Sequence, residues 1–238
     1  MENTRKIKPK KNLRRAIPIL VISYIFLLLT GLDYLPFYIN LGKVAPAANF
    51  VSGAVFMYGL IQFLVPYKYW KSGLTGERRV ERNLSDKLGD EYSIFNNVLL
   101  RDPKKRGDID HIIVGPTGIF VIETKNNQGN MSFNGFYWKG VKGSPSQQAR
   151  ENMFIVKDVL KNCPVFRDKD PFLEHVVLFS NPNADITTSR EPEYGCKIIH
   201  FKKTSDANLA DFIKNQPTRF SDQEVAKIEQ CLRANIVN

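Results

Sequence analysis

Residues 108–125 read DIDHIIVGPTGIFVIETK, and this stretch decides how the chain folds. Two apolar runs flank the Gly-Pro-Thr-Gly segment at 115–118, which is a turn signal. β-Branched and aromatic residues dominate both runs, as they do in strands. The stretch therefore predicts two antiparallel strands joined by a tight turn, in a sheet that is covered on both faces.

The turn decides which side chains face each other across this hairpin. With Pro116-Thr117 as a two-residue turn, Asp110 lies opposite Glu123, with Cβ atoms about 4.5–5.5 Å apart. Lys125 then shares their face of the sheet. A bulge at Gly118 would instead slip the register by one residue and send the two carboxylates to opposite faces. The sequence leaves both registers open.

The first register brings two acids and an amine together. Facing carboxylates on buried strands repel, and a divalent cation converts that repulsion into a binding site; oxygen ligands suit Mg²⁺ or Mn²⁺. Such an ion activates water at a phosphodiester, and a nearby lysine orients or deprotonates that water. In the competing interpretation Asp110 is a strand-end charge, and Glu123 with Lys125 is an ordinary solvated pair. The pattern alone favours neither.

The elements around the hairpin indicate an α/β domain. The first expected element is an amphipathic helix at 73–88 with Thr75 as its cap. A second helix at 144–162 has Pro145 in its first turn. Further strands are expected at 92–100, 131–139, 174–180 and 197–201, and further helices near 207–215 and 221–234.

These residues resemble the NERD (nuclease-related) domain, a branch of the PD-(D/E)xK nuclease superfamily. The matching motifs occur in the family's order. They are Gly76-Glu77, GDIDHIIV at 107–114, PTGIFVIETK at 116–125, Trp138, and SPSQQ at 144–148.

The resemblance implies a restriction-endonuclease-like fold with a central mixed sheet flanked by helices. It implies that Asp110 and Glu123 are ligands of Mg²⁺ or Mn²⁺ and that Lys125 is the catalytic lysine. Glu77 would complete the acidic set from the first helix. Gln148, rather than its neighbour at 147, would orient the water or the lysine.

Two apolar segments precede this domain. Residues 17–39 and 44–66 are each long enough to cross a bilayer, which takes about 20 residues, and the only charge among them is Asp33. A signal peptide is disfavoured for the first segment, because its apolar run exceeds the usual length of about 7–15 residues. Residues 1–16 hold seven basic side chains and the loop at 40–43 holds one, so the positive-inside bias places both termini in the cytoplasm.

The charge and the cysteines limit the classes of function. The formal net charge is +10, but residues 1–16 contribute +6 and residues 17–66 nothing. The remaining +4 only mildly suggests a polyanionic partner. Three distant cysteines lack the spacing of a zinc site, and we expect free thiols in a reducing compartment. They are Cys163, Cys196 and Cys231. Nucleotide-binding and serine-hydrolase motifs do not occur, so no nucleotide cofactor is predicted.

The sequence therefore predicts a multi-pass protein of the inner or plasma membrane. Its parts are a basic cytoplasmic tail at 1–16, spans at 17–39 and 44–66, a NERD nuclease-like domain at 73–180, and an α/β extension at 181–238 packed on the same domain. The predicted function is Mg²⁺-dependent hydrolysis of DNA, or alternatively RNA, on the cytoplasmic side. The alternative is a catalytically silent membrane module that binds nucleic acid or a protein partner. No pattern indicates an oligomeric state.

Overall fold

The computed structural model describes residues 2–3, 17–25, 45–101, 108–135, 137–168, 170–188, 195–201 and 208–237. They fall into two compact units, Ile7–Ser72 and Gly73–Asn238, the second also including Met1–Lys6. Most of the basic tail, the loop at 40–43 and the basic run at 104–106 lie outside the described residues.

The smaller unit contains two apolar helices. Helix α1 covers residues 17–25, and helix α2 (Ala45–Lys87) begins in this unit. Ser52 donates from Oγ to the carbonyl oxygen of Ser23 at 3.2 Å, and a Cβ placed on Gly59 would meet Ile19 Cγ2 at 3.1 Å. The contact that lies later in α2, at Gly59, meets the earlier residue of α1, Ile19. The described parts of the two helices therefore run antiparallel.

Only part of the predicted membrane hairpin can be compared with the structure. Pro46–Leu64 is long and apolar enough to cross a bilayer, judged by length and composition, and it is the one such stretch among the described residues. The first predicted span is helical at 17–25, and its remainder at 26–39 lies outside the described residues. Two spans are therefore not established.

Helix α2 continues through the positions where a boundary was expected. The prediction ended a span at Pro66 and began a new helix at Gly73 with Thr75 as its cap. All three residues lie inside α2, so the predicted boundary and the predicted cap were wrong. A proline removes one backbone donor, but the residues on either side of it can stay helical.

The larger unit is built on a six-stranded mixed sheet with the order β1-β2-β3-β4-β7-β9. Strands β2, β3 and β4 are antiparallel, and β4, β7 and β9 are parallel. Their bounds are Glu2–Asn3 (β1), Ser93–Val98 (β2), Ile109–Gly115 (β3), Gly118–Lys125 (β4), Leu173–Phe179 (β7) and Lys197–His200 (β9).

The register of the β3–β4 hairpin agrees with the two-residue turn. Gly115 pairs with Gly118, and His111 pairs with Ile122. The register prediction is therefore confirmed, and the bulge alternative was wrong. The C-terminal part of the chain holds this turn, because the backbone N–H groups of Arg219 and Phe220 donate to the Pro116 carbonyl oxygen at 2.8 and 3.1 Å.

A second, three-stranded sheet has the order β6-β5-β8. Its strands are β5 (Gly129–Phe133), β6 (Trp138–Lys139) and β8 (Ala184–Thr188). The single strand predicted at 131–139 was wrong, because Asn134 and Gly135 open a turn in which Asn134 Oδ1 accepts from Tyr137 N at 3.0 Å. Asn-Gly is a strong turn signal that should have divided the run.

Helices cover both faces of the main sheet, which fits the predicted α/β class. Helices α3 (Pro145–Leu160) and α5 (Asp222–Asn235) share an apolar core with one face, and α2 with α4 (Asn208–Lys214) shares a core with the other. Apolar residues of β4 alternate between these two cores. Strand β9 and helices α4 and α5 come from residues 181–238, so this extension pairs and packs with the preceding elements.

Two cysteines differ from the expectation. Cys163 and Cys231 form a disulfide with a Cα–Cα distance of 5.9 Å, and Cys196 is free and buried. In the oxidised chain that the structure shows, the prediction of three free thiols is therefore wrong for two of them. The partners are separated by 68 residues, and linear spacing cannot reveal that the end of α3 packs beside α5.

Candidate active site

Lys125 lies at the centre of a polar cluster at the end of β4. Its Nζ is 2.6 Å from Glu123 Oε1 and 2.9 Å from Gln148 Oε1. Glu123 and Lys125 are two residues apart and so point toward the same face, where α3 presents Gln148. Strand β4 and the first turn of α3 therefore bring three of the predicted residues together.

Asn152 also contacts this cluster. Its Nδ2 donates to Glu123 Oε2 at 3.2 Å, so the two oxygens of Glu123 have separate partners. Asn152 follows Gln148 by four residues, which places both amides on one face of α3. The sequence prediction missed Asn152, although the four-residue spacing could have indicated it.

Asp110 lies where the hairpin register places it, level with Glu123. Its Oδ2 accepts a hydrogen bond from Thr124 N at 2.6 Å. Burial, followed by the charges of Glu123 and Glu77, raises the pKa of Asp110 well above its usual range. The Thr124 N–H and the charge of Lys125 oppose this rise. Asp110 therefore lies in the field of two other carboxylates.

Glu77 approaches the same cluster from helix α2. Burial and the charge of Glu123 raise the pKa of Glu77 from 4.5 to about 7. A hydrogen bond from the Asn97 side chain opposes this rise, Asp108 adds to it, and Arg78 opposes it. Glu77 therefore lies within electrostatic reach of the hairpin acids.

Gly76 explains how helix α2 can bring Glu77 so close. A Cβ on Gly76 would lie 2.6 Å from the Asn126 Cβ and 2.7 Å from the Ser180 Oγ. Neighbouring Arg79 donates from its guanidinium to the Ser180 carbonyl oxygen at 2.6 Å. Only glycine permits this approach of α2 to the ends of β4 and β7.

Trp138 and the SPSQQ segment fix the start of helix α3. Ser144 Oγ caps the helix by accepting from Gln147 N at 3.3 Å. The Trp138 indole donates to Ser146 Oγ at 3.2 Å, and its ring packs against Phe179 with 5.5 Å between centroids. These contacts hold the turn of α3 that carries the glutamine beside Lys125.

His111 is a packed residue of strand β3. It is fully buried, and its Nδ1 is hydrogen-bonded to Asn96 Oδ1 at 2.7 Å. Burial lowers its pKa to about 3. A neutral imidazole bonded in this way belongs to the core between β3 and α2. Tyr137 is exposed beside buried Trp138.

The chemistry of the acidic side chains fits a hard divalent cation. Buried carboxylates that raise one another's pKa are stabilised when a cation neutralises them. Among the described residues, no three His, Cys, Asp or Glu side chains form a ready-made metal cluster. Mg²⁺ commonly uses one or two carboxylates, with waters and substrate phosphates completing its shell. Asp110 and Glu123 therefore suffice as candidate ligands.

The mixed sheet with this hairpin and the glutamine-bearing helix agrees with the fold that the resemblance implied. Residues 72–180 match the family model of the nuclease-related domain, NERD, so this part of the chain is similar to that family. The predicted limits of 73–180 differ from this match by one residue.

One known protein is similar to a short part of the chain. The chain is 43% identical over 63 residues to an uncharacterized protein of Bacillus anthracis. That alignment covers 25% of this chain and 28% of the relative's length. No solved structure matches the chain significantly.

Proposed function

We propose that this protein is a membrane-anchored, metal-dependent nuclease that hydrolyses DNA phosphodiester bonds on the cytoplasmic side. The observation that carries the proposal is the convergence of Lys125, Glu123 and Gln148 in one cluster, with Asp110 level with Glu123. Glu77 adds a third carboxylate from α2. A nuclease-related domain over residues 72–180 supports the same function.

The proposed mechanism assigns a role to four of these side chains. Asp110 and Glu123 would hold Mg²⁺ or Mn²⁺, which when bound supplies Lewis-acid stabilisation of charge on the phosphodiester. Lys125 donates hydrogen bonds to the attacking water and to a phosphate oxygen. The water oxygen forms a bond to phosphorus and gives up a proton to solvent, while the bond to the departing ester oxygen breaks and that oxygen takes up a proton from solvent. Gln148 fixes the direction of the lysine amine through the 2.9 Å contact.

The polar contacts around Glu123 explain why the lysine is well placed. Glu123 is buried, and its two oxygens accept from Lys125 and Asn152. A side chain held at both oxygens retains its orientation when substrate enters. Lys125 keeps part of its surface exposed, with a side-chain exposure of 17%, so its amine can reach a phosphate from solvent.

The proposed anchor is a two-span hairpin with both termini in the cytoplasm. Apolar side chains on α1 and α2 are exposed, with Ile22 at 67% and Phe50 at 79%. Such surface is costly in water and favourable in lipid. The antiparallel contact between α1 and α2 and the apolar stretch Pro46–Leu64 support this arrangement. Residues 181–238 we assign to the nuclease domain.

A silent binding module is the second candidate. The observation in its favour is the ion pair at 2.6 Å between Lys125 and Glu123, which occupies both the amine and an oxygen needed for metal binding. A module of this kind would bind nucleic acid or a protein partner without cleaving it. The two candidates therefore differ in catalysis and not in fold.

A cleavage assay separates them. The full chain, purified in detergent micelles, is incubated with labelled DNA or RNA and Mg²⁺ or Mn²⁺, beside Asp110→Asn and Lys125→Met. We expect parental cleavage to require the metal and each variant to lose roughly a hundredfold or more in rate, as removal of a main electrostatic stabiliser does. Asp158→Asn and Lys161→Met are matched controls, because that pair is exposed.

The outcomes decide between the candidates. Loss of cleavage in both site variants, with both controls active, supports the nuclease. Cleavage that survives in both site variants contradicts the proposed site. DNA binding by the parental chain without cleavage supports the silent module.

A further inference from the structure

Asn97 has a backbone conformation that sets it apart in strand β2. Its φ is +52°, and it is the one non-glycine residue with positive φ in the described part of the chain. Asparagine enters the left-handed region more readily than most residues, but glycine adopts it with less strain. Strain of this kind persists where surrounding contacts offset it, often at functional sites.

Strand register places Asn97 in line with two of the proposed metal ligands. Strand β2 pairs with β3 on both sides of Asn97, in a register that puts Asn97 level with Asp110. The β3–β4 register puts Asp110 level with Glu123. Asn97 is therefore the first member of a row that crosses three neighbouring strands.

The left-handed residue also shifts the alternation of the strand. Before it, Phe95 packs in the core shared with α3 and α5, while Asn96 bonds to Glu81 of α2 with 3.2 Å between Nδ2 and Oε1. After it, Val98 packs again in the core of Phe95. Regular alternation would send Val98 to the opposite face, so the change of phase occurs at Asn97.

This shift allows two consecutive amides to meet one helix. The side chain of Asn97 donates a hydrogen bond to the Glu77 carboxylate, and Asn96 donates to Glu81. The two glutamates are one turn apart on α2 and share a face. In a regular strand, residues 96 and 97 would point to opposite faces and could not both reach α2.

We propose that Asn97 is the positioning residue of the acidic site, whose left-handed backbone directs its amide to hold Glu77 beside Asp110 and Glu123. This inference rests on the proposed metal-dependent function of those acids. Asn97 touches neither the metal nor the substrate in this role. It limits the freedom of a carboxylate that comes from a helix on the other side of the sheet.

Asn97→Gly is the sharpest test, because glycine accepts the backbone conformation and removes only the amide. In the full chain in detergent we expect the thermal midpoint to stay level or rise. The affinity for Mn²⁺, measured by calorimetry, should fall roughly tenfold or more, as it does when an outer-shell partner that supports a metal site is removed. Asn215→Gly, just after helix α4, is the matched control and should bind as the parent does. Parental Mn²⁺ affinity in Asn97→Gly would overturn the inference.

A metal-free measurement tests the contact independently of the proposed function. Thermal midpoints are compared for Asn97→Gly, Glu77→Ala and the double variant. We expect shifts that do not add, because each single change already breaks the same hydrogen bond. Additive shifts overturn the inference. If the glycine variant fails to fold, Asn97→Asp, which places a carboxylate against Glu77, should lower the midpoint, and an unchanged midpoint overturns it.

These measurements also separate the two proposals. A parental chain that neither binds Mn²⁺ nor cleaves nucleic acid would remove the proposed function. The metal-free double-variant comparison would still decide whether Asn97 holds Glu77. Non-additive shifts with parental Mn²⁺ affinity in Asn97→Gly would overturn the positioning role while leaving the nuclease proposal intact.

Discussion

At the scale of single residues, the candidate site balances the repulsion among its carboxylates against their attraction to Lys125. Asp110 and Glu77 both have pKa values above their usual range, and in both cases burial is the first cause and Glu123 the second. Lys125 is the cation in direct contact with Glu123. A site with more buried acid than base stores repulsion, which a bound divalent cation would relieve.

This balance predicts how stability depends on pH without metal. Since the pKa of Glu77 rises from 4.5 to about 7 on folding, the folded state binds more protons than the unfolded chain between those values. The free energy of unfolding should then fall as pH rises through that window, by about 3 kcal/mol for Glu77 alone. Asp110 contributes in the same direction. Thermal midpoints of the full chain, measured across pH in a metal-chelating buffer, check this.

The glutamine variant is the control for that measurement. Glu77→Gln should flatten the pH dependence, while Glu229→Gln, at an ion pair on α5 outside the acidic cluster, should leave it unchanged. Equal pH slopes for the parent and Glu77→Gln would show that Glu77 is not buried among acids in the way described.

At the scale of elements, helix α2 determines how close Glu77 comes to the hairpin. Gly76 lies against Asn126 and Ser180, whereas Gly73, one turn earlier, has no contact closer than 4.0 Å. The two glycines are on the same helix and differ only in what surrounds them. They form a matched pair for testing the close approach.

We expect opposite effects from alanine at these glycines. Gly73→Ala should raise the free energy of unfolding by up to about 1 kcal/mol, because alanine is the better helix former. Gly76→Ala should lower it by about 1–3 kcal/mol, because the added methyl overpacks the contact. Its cleavage rate should fall as well, since Glu77 moves with the helix. Urea unfolding and the cleavage assay measure both effects. Equal stabilisation by the two alanines would contradict the packing described.

The elements also show what the sequence could and could not reveal. A two-residue turn at 116–117 predicted that Asp110 faces Glu123, but the sequence left a bulge at Gly118 open, and the pairing of β3 with β4 in the structure decides between the two registers. The left-handed conformation of Asn97 was not predictable, because its partner, Glu77, lies on another element and no local sequence pattern indicates the contact. Strand β8 was missed because Ala184–Thr188 holds only two apolar residues, Ala184 and Ile186, and pairs only within the smaller sheet.

At the scale of the whole molecule, the oxidation state of the cysteines provides a test of the proposed membrane topology. The proposed topology places the nuclease domain in the cytoplasm, where thiols stay reduced. The structure pairs Cys163 with Cys231 and leaves Cys196 free. Closing a loop of 68 residues would stabilise the oxidised domain by roughly 4 kcal/mol. The oxidation state inside the cell therefore reports on the compartment.

Thiol trapping measures that state. When cells are lysed into denaturant with an alkylating reagent, we expect all three cysteines to be modified, because the domain faces the cytoplasm. After air oxidation of the purified chain, only Cys196 should be modified. A single modified cysteine at lysis would place the domain in an oxidising compartment and contradict the proposed topology.

The central claim is that buried acids of the β3–β4 hairpin hold a divalent cation for phosphodiester hydrolysis. Calorimetric titration of Mn²⁺ into the full chain tests it most directly, with Asp110→Asn and Glu123→Gln as site variants and Asp158→Asn as the exposed control. We expect saturable binding by the parent and the control, and affinity at least roughly tenfold weaker in each site variant. Equal affinity in all four proteins, or no binding by the parent, would contradict it.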